Sequence, residues 1–489
     1  MLNREPQFGT IMKTVFISGN FNVLHPGHQR ILRFASELGD KLIVGVNSDK
    51  IAGEKAYIRE DYRLEGVKNN VYVSEAFLLK DQLENYLIKL KPDIVVKGVE
   101  WESQENPENK VLNEYGGRLV FSSGGPVFSS LEILGRSRNY SEILSGKFYF
   151  PENYATRHNF SKGDLLAILN KFKNLNVCVI GDLILDEYVA CATLGMSQED
   201  PTIVVSPKDR AKFIGGAGIV AMHAANLDAQ VTFLSVTGDD EQRKYALKKL
   251  NLENLSTHLV IDEKRPTTLK QRFQAEGKTL LRVSSLSQDS IDKKNQKEIL
   301  ECFNNILDDI DLVVFSDFNY GCLPQSLVDE IIAKSKKTGK IMVADSQSSS
   351  QIGDIARFKG MHFISSTERE ARVSLQNSQD GLVVLAEKLR LKSEAENVFL
   401  KLGSQGVLLH IKSNENEQQF LTDRIGALND SPKDAAGAGD SMLITSGMSF
   451  AVGATAWEAA CLGSIAAAIQ VSRIGNVPLS QDEFKRILN

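Results

Sequence analysis

The segment Gly19–His28 reads GNFNVLHPGH and directly follows Thr14–Ser18, an apolar run typical of a buried strand. Gly19 lets the backbone approach a phosphate closely, and Pro26 suits the first turn of a helix, where its missing N–H costs little. Anions bind at such strand-to-helix turns because the free N–H groups of the helix start point toward them. The segment therefore predicts an α/β doubly wound fold with a phosphate site after its first strand.

Apolar runs continue this pattern through the first third of the chain. The strands expected after the first one are Leu42–Val46, Asn70–Val73, Asp93–Val96 and Arg118–Phe121. Helical periodicity lies between strands, over Gln29–Leu38 and Gln82–Leu90. Strands that alternate with helices predict a parallel sheet covered on both faces, as in a Rossmann-like domain.

A second glycine turn lies near the other end of the chain. Asp434–Asp440 reads DAAGAGD and precedes an apolar helical segment, Ser441–Ser449. Its glycines would present backbone N–H groups at a helix start, which forms an anion hole for a transferring phosphoryl group. Asp440 is placed to accept a proton from an attacking hydroxyl, with a buried capping aspartate as the alternative. The two turns together predict two catalytic modules on one polypeptide.

A second doubly wound α/β unit begins at Val177–Asp182. Its further strands are expected at Val231–Val236, Leu312–Phe315, Ile341–Ala344, His362–Ser365 and Val398–Leu402. Two segments of alternating polarity, Thr202–Ser206 and Thr268–Ser284, predict a small antiparallel β lid over a cleft. The stretch between the halves is mixed and polar, and within it Lys162–Lys171 is predicted to be helical.

The overall composition narrows the class of protein. The chain has 489 residues, a net charge of −5 and 42% hydrophobic residues, which is typical of a globular protein of two or three domains. The charge gives no electrostatic reason to expect a nucleic-acid partner, and no apolar run is long enough to cross a membrane. Five scattered cysteines without a CxxC pair argue against a zinc site and favour the cytoplasm.

The first glycine turn resembles the HxGH nucleotidyltransferase superfamily, which includes cytidylyltransferases and sugar-phosphate adenylyltransferases. The resemblance is carried by His25 and His28, with support from Leu42–Asp49, Val96–Gly98 and Phe128–Ser130. It covers a domain of residues 12–140, followed by a linker over 141–173. It implies an enzyme that joins ATP or CTP to a sugar phosphate and releases pyrophosphate.

The resemblance also assigns roles within this first site. His25 and His28 would stabilise the transition state. Lys50 or Lys55 would neutralise phosphate charge, although a solvated basic loop is an equal interpretation. The residues expected near the nucleotide are Gly19, Phe21, Lys97 and Ser129. The family usually has Asp after the phenylalanine of the turn, and Asn22 stands there in this chain.

The second half resembles the ribokinase-like (PfkB) sugar kinases over residues 174–489. The turn ending in GAGD carries the resemblance, together with Phe213–Gly218, Val236–Asp240 and Lys401–Gly403. By this resemblance Asp440 is the catalytic base, and Gly403, Gly437, Ala438 and Gly439 bind the nucleotide. The expected substrate-binding residues are Asp182, Asp186, Gly215 and Gly216. Glu370 stands where the family keeps a glutamate associated with Mg²⁺.

Within that family the chain is most similar to the heptose-phosphate kinases, through Gly181–Tyr188, Met196–Pro201 and Ser316–Gly321. Bifunctional heptose kinase/adenylyltransferases carry the same two domains in the opposite order. The resemblance implies a nucleotide-activated sugar, ADP-heptose-like, for a lipopolysaccharide or another surface glycan. A CDP-sugar or CDP-polyol is the near competitor, and a homo-oligomer is expected.

The kinase half departs from its family at several positions. These are Ile219, Thr367, Ala436, Ser284 and the pair Ser346–Gln347, which replaces Pro-Lys. Asp440 and the glycines remain. Loss of buried hydrogen bonds on the sugar side would change or weaken the activity. Two interpretations follow: a kinase with an altered acceptor, or a degraded kinase that serves as a ligand-binding or oligomerisation module.

Overall fold

The computed structural model describes residues 12–489 apart from 23, 25, 99–100, 103, 105, 123–147, 276–277, 348–352 and 413–419. The chain divides into two units. The first comprises Met1–Glu142, Ser378–Ala386 and Leu421–Gly426. The second comprises Ile143–Asn377, Glu387–Phe420 and Ala427–Asn489.

The first unit is built on a five-stranded sheet. Its strands are β1 (Thr14–Gly19), β2 (Lys41–Asn47), β3 (Glu75–Leu79), β4 (Ile94–Gly98) and β5 (Arg118–Ser122). All neighbours pair in parallel in the order β3-β2-β1-β4-β5. The connecting helices are α1 (Pro26–Glu37), α2 (Asp49–Ala52), α3 (Glu60–Lys68), α4 (Leu83–Leu90) and α5 (Glu108–Tyr115). This is the doubly wound Rossmann-like arrangement that the sequence predicts.

The third strand of this sheet begins later than expected. The strand predicted at Asn70–Val73 is wrong, because these residues form a turn before Glu75–Leu79. The Asn70 carboxamide oxygen accepts a hydrogen bond from the backbone N–H of Tyr72 at 3.1 Å. Such a local side-chain bond favours a turn over a strand.

One face of the first sheet packs into a continuous apolar cluster. Phe16 and Phe121 lie at its centre, together with Leu87 and Leu112 from the helices α4 and α5. Each is at most 1% exposed. Burial of such side chains stabilises the fold by about 1.5–3 kcal/mol each. This packing fixes the strands whose carboxyl ends form the first candidate site.

Two helices precede the second sheet, α6 (Glu152–Arg157) and α7 (Lys162–Lys171). The predicted helix Lys162–Lys171 is confirmed. It begins at a capping box in which the Ser161 hydroxyl accepts from the Asp164 N–H while Asp164 accepts from the Ser161 N–H.

The largest sheet has nine strands. They are β6 (Asn176–Gly181), β9 (Gln230–Thr237), β10 (Leu255–Ile261), β13 (Leu312–Asp317), β14 (Ile341–Ser346), β15 (Phe363–Thr367), β16 (Asn397–Lys401), β17 (Val407–Lys412) and β18 (Phe420–Ile425). Their order is β10-β9-β6-β13-β14-β15-β16-β17-β18. From β10 to β16 every neighbour pairs in parallel, and β17 runs antiparallel to β16. The carboxyl ends of β13 to β16 therefore lie along one edge, where a doubly wound sheet binds its ligands.

The helices of this part complete the fold. They are α8 (Ala217–Asn226), α9 (Glu241–Lys249), α10 (Lys293–Ile306), α11 (Gln325–Lys337), α12 (Glu368–Leu375), α13 (Leu382–Ser393), α14 (Ala438–Ala451), α15 (Ala456–Val471) and α16 (Gln481–Leu488). Helix α14 is buried along most of its length, as is α15. A helix that is apolar all round belongs in a protein core.

A separate four-stranded sheet forms the predicted β lid. Its strands are β7 (Leu183–Met196), β8 (Ile203–Gly216), β11 (Leu269–Ala275) and β12 (Lys278–Ser285), in the order β12-β11-β7-β8. The outer pairs are antiparallel, but β11 pairs with β7 in parallel, so the prediction of a purely antiparallel lid is wrong. The sequence located β11 and β12 and the start of β8. It did not identify β7, because the apolar run after Asp182 was interpreted only as a binding motif. Among the described residues, no helix has the length and apolarity needed to span a membrane.

Candidate active sites

The first glycine turn joins β1 to α1 at the point where the strand order of the sheet reverses. Phe21 adopts a left-handed backbone conformation (φ 49°), and its buried ring lies 5.2 Å from the His28 imidazole. A Cβ added to Gly19 would come within 3.2 Å of the same ring. Phe21 therefore packs between the predicted phosphate turn and the predicted catalytic histidine. His25 and Ser129 lie outside the described residues.

Arg63 organises this turn, and the sequence analysis missed it. Its fully buried guanidinium donates to the carbonyl oxygens of Asn20 (2.7 Å), Asn47 (2.8 Å) and Ile58 (2.6 Å), and to Asp49 Oδ1 (2.6 Å). The hydrogen bond from Arg63 holds the pKa of the Asp49 carboxyl below its ordinary value.

The sequence does contain a signal for this arginine. Arg63 lies one turn before Val67 on α3, and both side chains face the interior. A charged residue on the apolar face of a helix indicates a buried polar contact, because an unpaired buried charge is costly. Through its hydrogen bonds to Asn20 and Asn47, Arg63 links the first glycine turn to the end of β2.

Asn22 makes two hydrogen bonds that an aspartate could not both make. Its Nδ2 donates to the Lys55 carbonyl (2.7 Å), and its Oδ1 accepts from the Tyr57 N–H (2.9 Å). An ionised aspartate has no donor. Asn22, which replaces the family's aspartate, therefore holds the Gly53–Tyr57 segment against the turn.

The lysines predicted for this site have different environments. Lys50 and Lys55 are exposed. Lys97 is largely buried: its ammonium donates to Asn106 Oδ1 and Glu108 Oε1, both at 2.8 Å, and lies 5.0 Å from the centre of the Trp101 ring. The charge of Lys97 is thus compensated within the protein, whereas those of Lys50 and Lys55 face solvent.

The second glycine turn caps α14. Gly437 has φ 76°, and a Cβ there would lie 2.5 Å from Asn476 Oδ1, so the position requires glycine. Ala438 and Gly439 begin the helix. Gly403, at the carboxyl end of β16, also has a positive φ, and no described atom lies within 4 Å of the Cβ it lacks. Gly403 therefore has open space beside its backbone, whereas Gly437 is closely packed against Asn476.

Asp440 is buried at the start of α14. Its Oδ1 has no hydrogen-bond partner among the described residues. Burial, with a contribution from the nearby Asp345 carboxylate, raises the pKa of Asp440 to about 7, against an opposing effect of Lys401. A carboxyl group whose pKa lies near neutrality is suited to accept a proton.

Lys401 and Asp345 form a buried ion pair next to this turn, which the sequence analysis did not identify. Lys401 Nζ lies 2.6 Å from Asp345 Oδ2. Burial raises the pKa of Asp345 to about 6, although Lys401 lowers it. A Cβ added to Gly439 would lie 3.2 Å from Lys401 Nζ. The ammonium therefore lies directly against the glycine turn.

On the predicted sugar side, Asp186 lies close to the diglycine. A Cβ added to Gly215 would lie 2.4 Å from Asp186 Oδ2, which also accepts from Asn476 Nδ2 at 3.2 Å. Burial raises the pKa of Asp186, and the nearby Arg272 opposes this shift. Gly216 has φ 56° and faces the Asp182 carbonyl. These residues are brought together as predicted.

The lid is linked to the second glycine turn through Tyr188. The Tyr188 hydroxyl donates to Asp434 Oδ2 (2.8 Å) and accepts from Arg272 Nη1 (2.9 Å). Asp434 also accepts from the backbone N–H groups of Ala436 (3.0 Å) and Gly475 (3.1 Å). One aspartate thus connects strands β7 and β11 of the lid with the start of the anion-binding turn.

Asp182 has a different environment from Asp186. Its carboxylate accepts backbone N–H bonds from Phe318 (2.8 Å), Cys322 (3.1 Å) and Tyr320 (3.3 Å). Burial raises the pKa of Asp182 to about 6, with a contribution from Asp317. The Asp182 carboxylate therefore holds the loop after β13.

Glu370 forms a capping box with Thr367. Glu370 Oε2 accepts from the Thr367 N–H (2.7 Å), and the Thr367 hydroxyl accepts from the Glu370 N–H (3.2 Å). Within the described part of the chain, no group of three or more acidic, histidine or cysteine side chains is arranged to hold a metal ion. Mg²⁺ commonly binds through one or two carboxylates plus substrate phosphates, so a single glutamate fits such an ion.

Comparison with known proteins agrees with this geometry. Residues 174–482 match the model of the pfkB family carbohydrate kinases, which is more than half of the chain. The chain belongs to the pfkB family. Residues 16–121 match the cytidylyltransferase-like family. The resemblances stated for the two halves are both confirmed.

Curated relatives of this chain include proteins called "Bifunctional protein HldE". The one from Desulfatibacillum aliphaticivorans is 30% identical over 319 residues, which is 64% of this chain and 63% of that protein. The one from Campylobacter fetus is 30% identical over 317 residues, 64% of this chain and 66% of that protein. The match thus spans slightly less than two thirds of the length of these relatives.

Solved structures support the predicted fold of the PfkB half. Phosphofructokinase-2 from Escherichia coli in complex with potassium aligns with a TM-score of 0.52 at 17% identity, over 64% of this chain and 97% of that one. The microbiome-derived acarbose kinase Mak1 aligns with a TM-score of 0.51 at 16% identity, over 64% and 99%. At these identities the likeness concerns the fold alone.

Proposed function

We propose that the chain is a bifunctional enzyme of nucleotide-activated sugar synthesis. The PfkB half phosphorylates a sugar with ATP, and the cytidylyltransferase-like half transfers a nucleotidyl group to a sugar phosphate. The observation that carries the proposal is Asp440, a buried carboxyl whose pKa is raised to about 7, placed at the start of a helix whose glycine turn is partly exposed.

In the kinase reaction a sugar hydroxyl attacks the γ-phosphorus of ATP, and ADP leaves. Asp440 accepts the hydroxyl proton. Backbone N–H groups of the turn, including those of Ala438 and Gly439, stabilise the charge on the transferring phosphoryl group. Gly403 borders the nucleotide. Asp186 and the Gly215–Gly216 pair hold the acceptor sugar, and Asp182 acts through the loop after β13, which its carboxylate fixes.

In the nucleotidyl transfer an oxygen of the sugar phosphate attacks the α-phosphorus of the nucleotide, and pyrophosphate leaves. His28, held against Phe21, and His25 donate hydrogen bonds to the phosphate oxygens as charge accumulates. Lys50 and Lys55 face solvent and are available to a triphosphate, whereas Lys97 acts through its contacts with Asn106 and Glu108. Gly19 and Ser129 complete the proposed nucleotide site.

The proposed product is an ADP-heptose-like sugar of lipopolysaccharide synthesis. Support comes from the relatives named HldE and from the heptose-kinase motifs of the PfkB half. A CDP-sugar or CDP-polyol is the alternative, since the N-terminal match is to a cytidylyltransferase-like family. Mg²⁺ would be held by Glu370 together with the nucleotide phosphates, and would neutralise phosphate charge when bound.

One observation favours a second candidate function. Ile219, which stands where the family commonly has a sugar-binding asparagine, is fully buried in α8 and has no polar side-chain atom. A kinase-like half without sugar contacts would serve as a ligand-binding or oligomerisation module. The first proposal remains favoured because Asp440 and its turn retain the geometry that the reaction needs.

We also propose that the enzyme acts in the cytoplasm as a homo-oligomer. All five cysteines are free thiols, as in reducing compartments. The lid exposes apolar side chains that a second copy could cover, among them Leu194, Met196 and Leu281. The proposed ligands are sugars, sugar phosphates and nucleoside triphosphates, with no nucleic acid or membrane.

The test uses the full chain with four nucleoside triphosphates and a panel of sugars and sugar phosphates. ATP-dependent sugar phosphorylation and pyrophosphate release are measured separately. Asp440→Asn is expected to abolish phosphorylation, and His28→Ala to abolish pyrophosphate release. The kinase proposal fails if Asp440→Asn changes no phosphorylation, and the transferase proposal fails if His28→Ala leaves pyrophosphate release intact.

A further inference from the structure

Lys401 is a buried cation at the centre of the kinase site for which the fold alone gives no need. It is the last residue of β16, and its side chain is only 14% exposed. Burial of an ammonium is costly unless the charge is compensated. An apolar residue at the end of this strand would avoid that cost. The retention of the charge therefore calls for an explanation beyond packing.

The ammonium of Lys401 pairs with Asp345 and also borders the second glycine turn. Burial lowers the pKa of Lys401, but Asp345, Glu370 and Asp440 outweigh this and raise it, so the ammonium stays charged. The position of a Cβ on Gly439 lies 3.2 Å from Lys401 Nζ and 3.6 Å from Asp345 Oδ2. Glycine at 439 thus leaves open the space between the ammonium and the helix start.

A second feature points to a ligand in this space. Asp440 Oδ1 and Asp345 Oδ1 are buried, and neither has a hydrogen-bond partner among the described residues. Buried polar atoms are nearly always satisfied, and a carboxylate oxygen can only accept, so these two atoms indicate a donor that arrives with the substrates. A reacting hydroxyl satisfies Asp440, and the phosphoryl group that it attacks is the natural partner of the cation.

We propose that Lys401 is a phosphate-binding residue of the kinase reaction, whose ammonium contacts the transferring phosphoryl group over the Gly437–Asp440 turn while Asp345 holds it in place. This inference rests on the proposed kinase function. It also accounts for an active site that has Gln347 where related kinases often have lysine, because the cation is supplied instead from β16, which is separated from β14 by one strand. It favours an active kinase over a degraded one.

The experiment compares ATP-dependent sugar phosphorylation by the full-length wild type, Lys401→Met, Lys401→Arg and the double variant Lys401→Met/Asp345→Asn. Thermal unfolding is followed in parallel. Lys401→Met is expected to lower kcat at least about 100-fold, as when one donor to transition-state charge is removed. Lys401→Arg keeps the charge and is expected to retain activity within about tenfold of the wild type.

The double variant separates this role from a structural one. Removing both charges avoids the unpaired carboxylate, so its thermal stability should recover relative to Lys401→Met. The proposal expects activity to stay low in the double variant, whereas a purely structural lysine would let activity return with stability. The inference is overturned by that return, or by normal activity of Lys401→Met.

The Asp440→Asn variant shows whether a failed prediction concerns Lys401 alone or the kinase function as a whole. If it abolishes phosphorylation while Lys401→Met remains active, the kinase function stands and only the role of Lys401 falls. If the wild type phosphorylates no member of the panel, or if Asp440→Asn has no effect, the kinase function itself is wrong, and the inference falls with it.

Discussion

At the scale of single residues, Asp440 gives the kinase half its expected pH dependence. Its pKa is raised to about 7, mainly by burial. Below that pH the carboxyl is protonated and cannot accept the proton of an attacking hydroxyl. We expect kcat/KM for phosphorylation to rise with pH up to about 7 and then level off. A rate that stays constant between pH 5 and pH 8 would contradict the assigned role of Asp440.

The same shift has a consequence for stability. The folded-state pKa of Asp440 lies above its ordinary value of 3.8, so the folded protein holds a proton that the unfolded chain has released. This group's contribution to stability is therefore lost as the pH rises from about 4 to about 7. Asp440→Asn, which removes the ionisation, should raise the thermal midpoint more at pH 8 than at pH 5. An equal change at both pH values would count against the raised pKa.

Asn22 provides a residue-scale test of the first site. Asn22→Asp loses the donor to the Lys55 carbonyl and places a negative charge there. Loss of one such bond costs about 1 kcal/mol, so kcat/KM for pyrophosphate release is expected to fall roughly fivefold. Asn69→Asp makes the same chemical change at an exposed position and serves as the control. Equal effects of the two substitutions would show that the contacts of Asn22 are unimportant.

The residues that the sequence did not identify share one property. Arg63 contacts backbone atoms of three segments, and Lys401 pairs with a residue 56 positions away. Such contacts depend on tertiary structure, and a local pattern such as Arg63 on the buried face of α3 indicates that a partner exists without identifying it. His28, Asp440 and the glycines belong to short motifs at strand-to-helix turns, where geometry is local, and these the sequence does reveal.

At the scale of elements, the start of α14 is the feature on which the proposed kinase site depends. Gly437 and Gly453, just beyond the end of the same helix, both have positive φ (76° and 88°). Alanine costs about 1–2 kcal/mol at either position because of its backbone preference. A Cβ meets Asn476 Oδ1 at Gly437 but no described atom within 4 Å at Gly453.

Gly437→Ala and Gly453→Ala therefore form a matched pair. Both are expected to lower the thermal midpoint, while only Gly437→Ala should reduce phosphorylation, by about tenfold or more, because it displaces the anion-binding turn. Steady-state kinetics at a temperature where both variants are folded provides the measurement. Equal losses of activity in the two variants would place the effect in stability and not in the turn.

Sequence patterns predict some of the strands correctly and miss others. Apolar runs of four to six residues located most of the parallel strands, because strands buried on both faces are apolar throughout. The third strand was misplaced because a local hydrogen bond of Asn70 makes its segment a turn. Strand β7 was missed because its first half is buried and its second half exposed, which gives no uniform pattern.

At the scale of the whole molecule, the described residues form three sheets, and the two larger ones each have a glycine turn that leads into a helix. Fusion of a kinase and a nucleotidyltransferase is useful when both serve one pathway. The domain boundaries at 12–140 and 174–489, with a linker over 141–173, stay a prediction.

The most direct test of this account measures both reactions on the full-length chain for the wild type, His28→Ala and Asp440→Asn. We predict that His28→Ala loses pyrophosphate release and keeps sugar phosphorylation, while Asp440→Asn loses phosphorylation and keeps pyrophosphate release. Loss of both reactions in either variant, with the fold intact, or loss of neither, would contradict the existence of two separate phosphate-transfer sites.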